Sequence, residues 1–289
     1  MNVLEVRDLK KNFKAGFVPR TVEVLKGVSF SLPKGTVTGF LGANGAGKTT
    51  SIKCILQLIF PDSGSIRFFD GLSLSADVLK RVGFLPERPY FYSYLTGKEF
   101  LNFYGRLSGA FRSRSDLTER ITQLLRRVGL NHAGNRLLKD FSKGMLQRIG
   151  LAQALMHRPD LVIFDEPQSG LDPDGRLEVA NIIRETAREG TTIFFSSHLL
   201  PDAEKLCDRL VVMKQGKICY EGSTRELLHQ TNRGATIYYS AEGNLKTLNV
   251  EDDKKLQVEI SRLINDKKVI QEIKREHVSL EEAYARLAK

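Results

Sequence analysis

One string constrains this chain more than any other. Gly42-Ala43-Asn44-Gly45-Ala46-Gly47-Lys48-Thr49 fits G-x-x-x-x-G-K-[ST] and stands between an apolar strand-like run, TVTGFLG, and a helical stretch, KTTSIKCILQLI. Glycines at 42, 45 and 47 let the backbone curl until successive N–H groups point inward, a nest for phosphate oxygens. The helix that follows adds the positive end of its dipole. Lys48 places an ammonium between terminal phosphates, and the Thr49 hydroxyl, followed by Thr50, can ligate Mg²⁺, a hard cation that prefers oxygen. A glycine-rich turn alone would carry little weight. The full string in this setting is specific for a nucleotide phosphate cradle.

Further apolar runs recur along the chain: RVGFLP, LVIFDEP, TTIFFSSH and RLVVMKQ, with helical patterns between several of them. Strands alternating with helices indicate a mainly parallel α/β sheet covered on both faces. In such sheets, ligand chemistry gathers at the carboxyl ends of the strands. LVIFDEP ends in Asp165 and Glu166, and successive residues at a strand end point in different directions. Asp165 is therefore read as a holder of Mg²⁺. Glu166 is read as the group facing an attacking water, as general base or polariser. TTIFFSSH ends at His198; its place at a strand end argues for a reach toward the terminal phosphate, and a structural role stands beside that reading on the residues alone.

Composition bounds the rest. The chain has 289 residues, 41% hydrophobic and 27% charged, enough for a soluble globular protein of two domains, or of one with an appendage. Tryptophan is absent, which excludes a tryptophan-lined carbohydrate cleft. The three cysteines, Cys54, Cys207 and Cys219, are widely spaced with no C-x-x-C pair, so neither a zinc site nor a disulfide framework is expected. The segment MNVLEVRDLKKNFK lacks the apolar core of a signal peptide. No apolar run approaches the roughly 20 residues needed to span a bilayer. The formal charge of +10 points to an anionic neighbour.

Between Thr96 and Leu138 the pattern turns helical, GKEFLNFYGRLSG and SDLTERITQLLRRVGL, with no strand between. This is a helical insert, about residues 96–158. From Lys98 to Lys139 it carries nine basic against three acidic side chains, so a large share of the surplus charge sits here. After about residue 230 a new unit begins. TIYYSAE and LKTLNVE alternate like strands, DKKLQVEISRLIND is amphipathic, and VIQEIKREH is another strand. SLEEAYARLAK is a helix with Ser279 and Glu282 as a capping box.

Taken in order, these motifs resemble the nucleotide-binding subunit of ATP-binding-cassette (ABC) transporters, from about Leu4 to His229. GANGAGKTT looks like Walker A and LVIFDEP like Walker B. SGLDP, Ser169 to Pro173, looks like the D-loop, with Asp172 in it. His198 matches the switch histidine. FSKGMLQR resembles the signature that begins LSGGQ: it keeps Ser142 and Gly144 but has Lys143 and Met145 where glycine and glutamine are commonest. Glu87, in GFLPE, stands where the family usually has the Q-loop glutamine; a carboxylate cannot donate a hydrogen bond but can bind Mg²⁺ directly. Phe13 takes the place of the aromatic that stacks on adenine, with Phe17 as the alternative because the loop after the first strand is read as long. Both departures resemble the branch of bacterial exporters of drugs, lipids, polysaccharides or ions.

The resemblance implies a P-loop NTPase core, an N-terminal antiparallel β subdomain, the helical insert and a small C-terminal α+β accessory domain. The cassette would span residues 1–230 and the accessory domain 231–289. It implies an ATPase with ATP and Mg²⁺ as cofactors, Mg²⁺ being held by Thr49, Asp165 and Glu87. Two subunits, expected as a homodimer, would close head to tail over two ATP molecules, each capped by the other copy's Ser142 and Gly144. The partner would be a polytopic membrane permease, meeting the chain near Glu87 at the cytoplasmic face of the bacterial inner membrane, and no nucleic acid is expected. Two other classes compete: a soluble ABC ATPase acting on nucleic acid or ribosomes, and a regulatory subunit that binds ATP without turnover. A single Walker A and no long coiled coil argue against the first; Glu166 together with His198 argues against the second.

Overall fold

The computed structural model describes residues 1–15, 20–231, 234–241, 244–250, 253–275 and 278–287. In chain order the elements are β1 (Asn2–Ala15), β2 (Arg20–Pro33), β3 (Val37–Leu41), α1 (Lys48–Ile55), β4 (Ser63–Phe68), α2 (Ala76–Leu79), β5 (Val82–Leu85), α3 (Gly97–Ser108) and α4 (Arg114–Arg127). Then come α5 (Lys143–Ala154), β6 (Leu161–Phe164), α6 (Pro173–Arg188), β7 (Thr192–Ser197), α7 (Leu200–Leu206), β8 (Arg209–Lys214) and β9 (Lys217–Ser223). The last are α8 (Thr224–Thr231), β10 (Ala235–Ala241), β11 (Asn244–Val250), α9 (Asp253–Asn265), β12 (Val269–Arg275) and α10 (Leu280–Leu287). They form two compact units, Met1–Glu221 and Gly222–Lys289.

The first unit is built on a six-stranded sheet of order β5-β6-β7-β3-β8-β9. The pairs β5–β6, β6–β7, β7–β3 and β3–β8 are parallel. VTGFL, LVIF and TIFFSS are buried at every position, which is why these strands read as continuous apolar runs rather than alternating ones. A second sheet, β2-β1-β4, is antiparallel. It packs on the first through Phe30 of β2, whose ring lies 5.5 Å from Phe40 of β3 and 5.4 Å from Phe194 of β7. The three rings sit in one buried cluster with Leu4, Leu25 and Ile52.

The long loop expected after the first strand is corrected here. β1 continues to Ala15, and Phe13 pairs with Val22 within the β1–β2 ladder. The pairing slips between Val6 and Leu9, where Asp8 has a left-handed backbone, φ 46°. Such a bulge breaks the period-two alternation that marks a strand in sequence. Phe17 lies outside the described residues.

The helical insert occupies the crossover from β5 to β6. α3 opens with a capping box: Glu99 N–H donates to the Thr96 hydroxyl, and Thr96 N–H to the Glu99 carboxylate. Ser113 caps α4 and Ser142 caps α5. Leu117, Ile121, Leu124 and Leu125 of α4 are buried, the apolar stripe of an amphipathic helix. Arg120 lies on the same stripe. Its guanidinium donates to the carbonyls of Leu155 (2.6 Å) and Met156 (3.2 Å), satisfying acceptors at the end of α5, and burial pushes its pKa down to about 10.

The second unit pairs β11-β10-β12 as an antiparallel sheet. Leu256 and Leu263 of α9 pack there with Ile237 and Val250. Glu282 N–H donates to Ser279 Oγ at the start of α10, the backbone half of the expected capping box. The unit also takes in α8, so the division falls one helix earlier than the boundary read at residue 230.

Candidate functional site

Parallel pairing puts the carboxyl ends of β3, β6 and β7 side by side, and all the candidate groups at those ends follow from that register. β3 stops at Leu41 and α1 begins at Lys48. The turn between them needs Gly47 at φ +112°, where a Cβ would fall 3.3 Å from the Val24 carbonyl and 2.8 Å from the Met213 methyl. No side chain caps the N-terminus of α1. The loop is fastened from behind by Gly216 N–H donating to the Ala46 carbonyl (3.0 Å). Lys48 folds back over the loop: Nζ donates to the Gly42 carbonyl at 2.7 Å and lies 3.4 Å from Glu166 Oε1.

Asp165 and Glu166 leave the end of β6 in different directions, as expected, and both are buried, 2% and 8% exposed. Asp165 Oδ1 accepts from Ser196 Oγ (2.6 Å) and from Thr49 Oγ1 (3.2 Å). Burial raises its carboxyl pKa above the ordinary value; the two hydroxyl donors oppose that, and the charges of Glu87 and Glu166 add to it. Glu166 has φ +51°, a left-handed backbone that costs of the order of 1–3 kcal/mol in a non-glycine residue. Its N–H donates to Ser196 Oγ (2.8 Å), and its carbonyl accepts from Ser169 N–H (3.1 Å). His198 Nδ1 lies 2.7 Å from Glu166 Oε2. A carboxylate only accepts, so Nδ1 carries the proton. Glu166 is thus gripped on one oxygen by Lys48 and on the other by His198.

These groups surround a cavity of about 500 Å³, lined by Ala43, Asn44, Gly45, Gly47, Lys48, Thr49, Thr50, Glu87, Ser169, Glu166 and His198, with Val24 on one side. Gly42 and Ala46 are buried behind the lining, and Asp165 lies beneath it. Thr49 Oγ1 and Asp165 Oδ1 form an oxygen-only pair. Asp165 carries a burial cost that a cation would relieve. Among the described residues no cluster of three or more His, Cys, Asp or Glu is assembled to hold a metal. That donor set fits Mg²⁺, which takes one or two protein oxygens and completes its shell with water and phosphate.

Other expected residues stand elsewhere. Phe13 is 37% exposed on β1 under the Lys11 ammonium and does not line the cavity. Ser142 and Gly144 are at the start of α5, outside the cavity, where Ser142 Oγ accepts from Met145 N–H. The Asp172 carboxylate caps α6, accepting from Gly175 N–H at 2.8 Å.

Ser196 is not among the residues that sequence motifs point to, yet its one hydroxyl joins both acids. The register explains it. Phe164 pairs with Phe195, so the next positions, Asp165 and Ser196, face each other. A serine pair ending an apolar strand beside a histidine is the available signal. A chain of contacts behind the acids is equally silent in the sequence. Buried Gln168 donates to the Arg176 carbonyl (3.1 Å), and Arg176 Nη1 donates to Asp202 Oδ2 (3.2 Å), tying the turn after Glu166 to the helix after His198.

Comparison with known proteins places this geometry. The family profile described as ABC transporter matches residues 25–169. An ABC transporter ATP-binding protein of Bacillus subtilis (strain 168), YxlF, is 41% identical over 228 residues, 79% of this chain and 73% of its own length. The bacitracin transport ATP-binding protein BcrA of Enterococcus faecalis is 38% identical over 247 residues, 84% of this chain and 76% of its own. The solved structure of an ATP-binding subunit of an ABC transporter superposes with a TM-score of 0.69 at 30% identity, covering 90% of this chain and 99% of that one. With its phosphate loop and acid pair in the arrangement described, this chain belongs to the ATP-binding subunits of ABC transporters.

Proposed function

We propose that this ATP-hydrolysing subunit powers an exporter, two copies closing head to tail around ATP at the cytoplasmic face of a membrane. The observation that carries the reading is the grip on Glu166: a buried carboxylate at the mouth of a phosphate cavity, with Lys48 and His198 on its two oxygens. Arriving phosphates compete for the Lys48 ammonium and leave one Glu166 oxygen free to accept a proton from water. His198 holds the other oxygen and fixes its direction. The loop N–H groups and Lys48 stabilise charge on the phosphate being transferred. When bound, Mg²⁺ would be held by Thr49 and Asp165, with Glu87 at the rim, and would neutralise phosphate charge.

The exposed start of α5, with Ser142 and Gly144, supports a second role. Its donors lie away from this chain's own cavity and are open to a partner copy. Asp172 and Phe13 are retained as candidate contacts to nucleotide across that interface and at the base. ABC ATP-binding subunits work with membrane permeases, and no helix among the described residues is long and apolar enough to cross a membrane. The exposed aromatics Tyr90, Tyr94 and Phe103, beyond Glu87, suit the docking of a short permease helix. A transport relative that handles bacitracin favours export. The relatives named above are transporter subunits, which supports transport over the nucleic-acid or ribosome reading.

The test pairs two measurements on the purified chain. The wild type should release phosphate from ATP at steady state, with or without the permease. Glu166→Gln should lose about 10²–10⁴-fold of that rate and accumulate as an ATP-dependent dimer in light scattering. Unchanged turnover in Glu166→Gln would remove Glu166 from the chemistry. A monomer at saturating ATP in that variant would remove the dimer.

A further inference from the structure

A second cavity, of about 440 Å³, lies in the helical insert at the corner where α3 ends and α4 begins. Arg106 from the last turn of α3, Arg112 from the connection and Arg114 from the first position of α4 line it, together with Asn102, over the apolar side chains of Phe111 and Leu117. No Asp or Glu is among its lining residues.

Three other arginines of the insert are satisfied within the chain. Arg120 donates to the carbonyls of Leu155 and Met156, Arg127 pairs with Glu189, and Arg136 donates to the Asp140 carbonyl. Arg106, Arg112 and Arg114 make no ion pair and no side-chain hydrogen bond among the described residues. Three guanidinium groups around one cavity repel one another, and an anion shared between them reverses the sign of that interaction. The start of α4 adds the positive end of a 14-residue helix. Guanidinium forks match phosphate oxygens in geometry as well as charge. The volume exceeds what a bare ion fills, and the apolar floor suits the carbon part of a phosphate ester.

We propose that this corner binds a phosphate-bearing anion, either the phosphodiester of an anionic lipid headgroup or free inorganic phosphate. The site is separate from the nucleotide cavity and does not rest on the transport reading. It would give an anionic partner to three of the nine basic side chains between Lys98 and Lys139.

The test uses the full chain saturated with ADP, so that the phosphate loop is filled. Sedimentation with vesicles of phosphatidylcholine, plain or doped with phosphatidylglycerol, is measured alongside calorimetric titration with inorganic phosphate. The Arg112→Gln/Arg114→Gln pair is compared with Arg188→Gln/Lys217→Gln, which removes the same charge from exposed positions elsewhere. The expected result is binding that requires phosphatidylglycerol, falls about fivefold per arginine removed and is unchanged in the second pair. Saturable phosphate binding without vesicle binding, abolished in the first pair only, supports the site and assigns it to free phosphate. Absence of both, equal binding to plain phosphatidylcholine, or equal losses in the two variant pairs overturns the proposal. Both variants should keep the wild-type melting curve, since all four side chains are exposed.

Discussion

The two ends of the cassette that carry the most recognisable motifs are built in opposite ways. At the phosphate end, Lys48, Asp165 and Glu166 are 6%, 2% and 8% exposed, and each is held by the others or by Ser196, Thr49 and His198. At the signature end, Ser142 is exposed, and a Cβ added to Gly144 would meet nothing within 4 Å. The first region is assembled before any ligand arrives, with Lys48 compensating Glu166 while burial still disfavours the charge on Asp165. The second offers an exposed helix start whose Ser142 hydroxyl is engaged locally, accepting from Met145 N–H. A catalytic group needs prior orientation, whereas a group that acts across an interface must remain open. The contrast makes substitutions at the two ends respond differently.

The largest effect is expected at Lys48. Lys48→Met should abolish ATP binding in equilibrium titration and also lower the stability of the nucleotide-free chain by about 3 kcal/mol, because Glu166 is left buried with its cation gone. Adding Glu166→Gln should recover most of that stability and none of the binding. If Lys48→Met leaves the denaturation midpoint in place, the phosphate end is not held together by mutual charge compensation. Next comes Ser196→Ala. It strands the Glu166 N–H and removes a donor from Asp165, so a loss of about 1–3 kcal/mol is expected on chemical denaturation. A fall of about tenfold or more in turnover, with little change in the KM for ATP, should accompany it.

Asp165→Asn separates stability from function at the same end. Its raised carboxyl pKa means that the folded state disfavours the charged form. The burial cost is therefore fully present above the folded-state pKa, shrinks as pH falls through it, and disappears below the ordinary value of 3.8. Asparagine keeps an acceptor for both hydroxyls and carries no charge. The nucleotide-free variant should melt higher than wild type at neutral pH, and the two should converge in acid. Added Mg²⁺ and ATP should stabilise wild type more than the variant. Parallel pH curves for the two proteins would show that burial of this charge has no cost.

What can be read in the sequence follows the same division. The phosphate loop is legible because its chemistry is local: consecutive residues from Gly42 to Thr49 carry the turn, the cation and the hydroxyl. The buried parallel strands are legible as unbroken apolar runs, and the insert helices as amphipathic patterns with caps. What depends on register is not. Ser196 reaches the acids only because β6 and β7 align Phe164 with Phe195. The far half of β1 is hidden by the bulge at Asp8, and the mostly exposed β4 carries too little apolar pattern to stand out. Phe13 takes its expected role from its place in a family pattern, while ladder pairing with Val22 puts it on a strand.

The smallest effect is the sharpest test of the comparison. Ser142 and Ser113 do the same local work, since each hydroxyl accepts from the backbone N–H three residues on, at 3.3 Å to Met145 and 3.0 Å to Asp116. Replacing either by alanine should cost about 1 kcal/mol or less, the worth of an N-cap. Thermal melts should therefore rank the two variants alike. Phosphate release should not. Ser113→Ala should keep the wild-type rate, whereas Ser142→Ala should lose activity at ATP levels that saturate the wild type, and wild-type activity should be recovered in part when the variant is mixed with Lys48→Met chains. In such a mixed pair, on the head-to-tail arrangement proposed above, the intact phosphate end of one copy would face the intact Ser142 of the other. Equal rates for the two serine variants would mean that the open end of α5 is only a capped helix, and the difference between the two ends would then be one of burial alone.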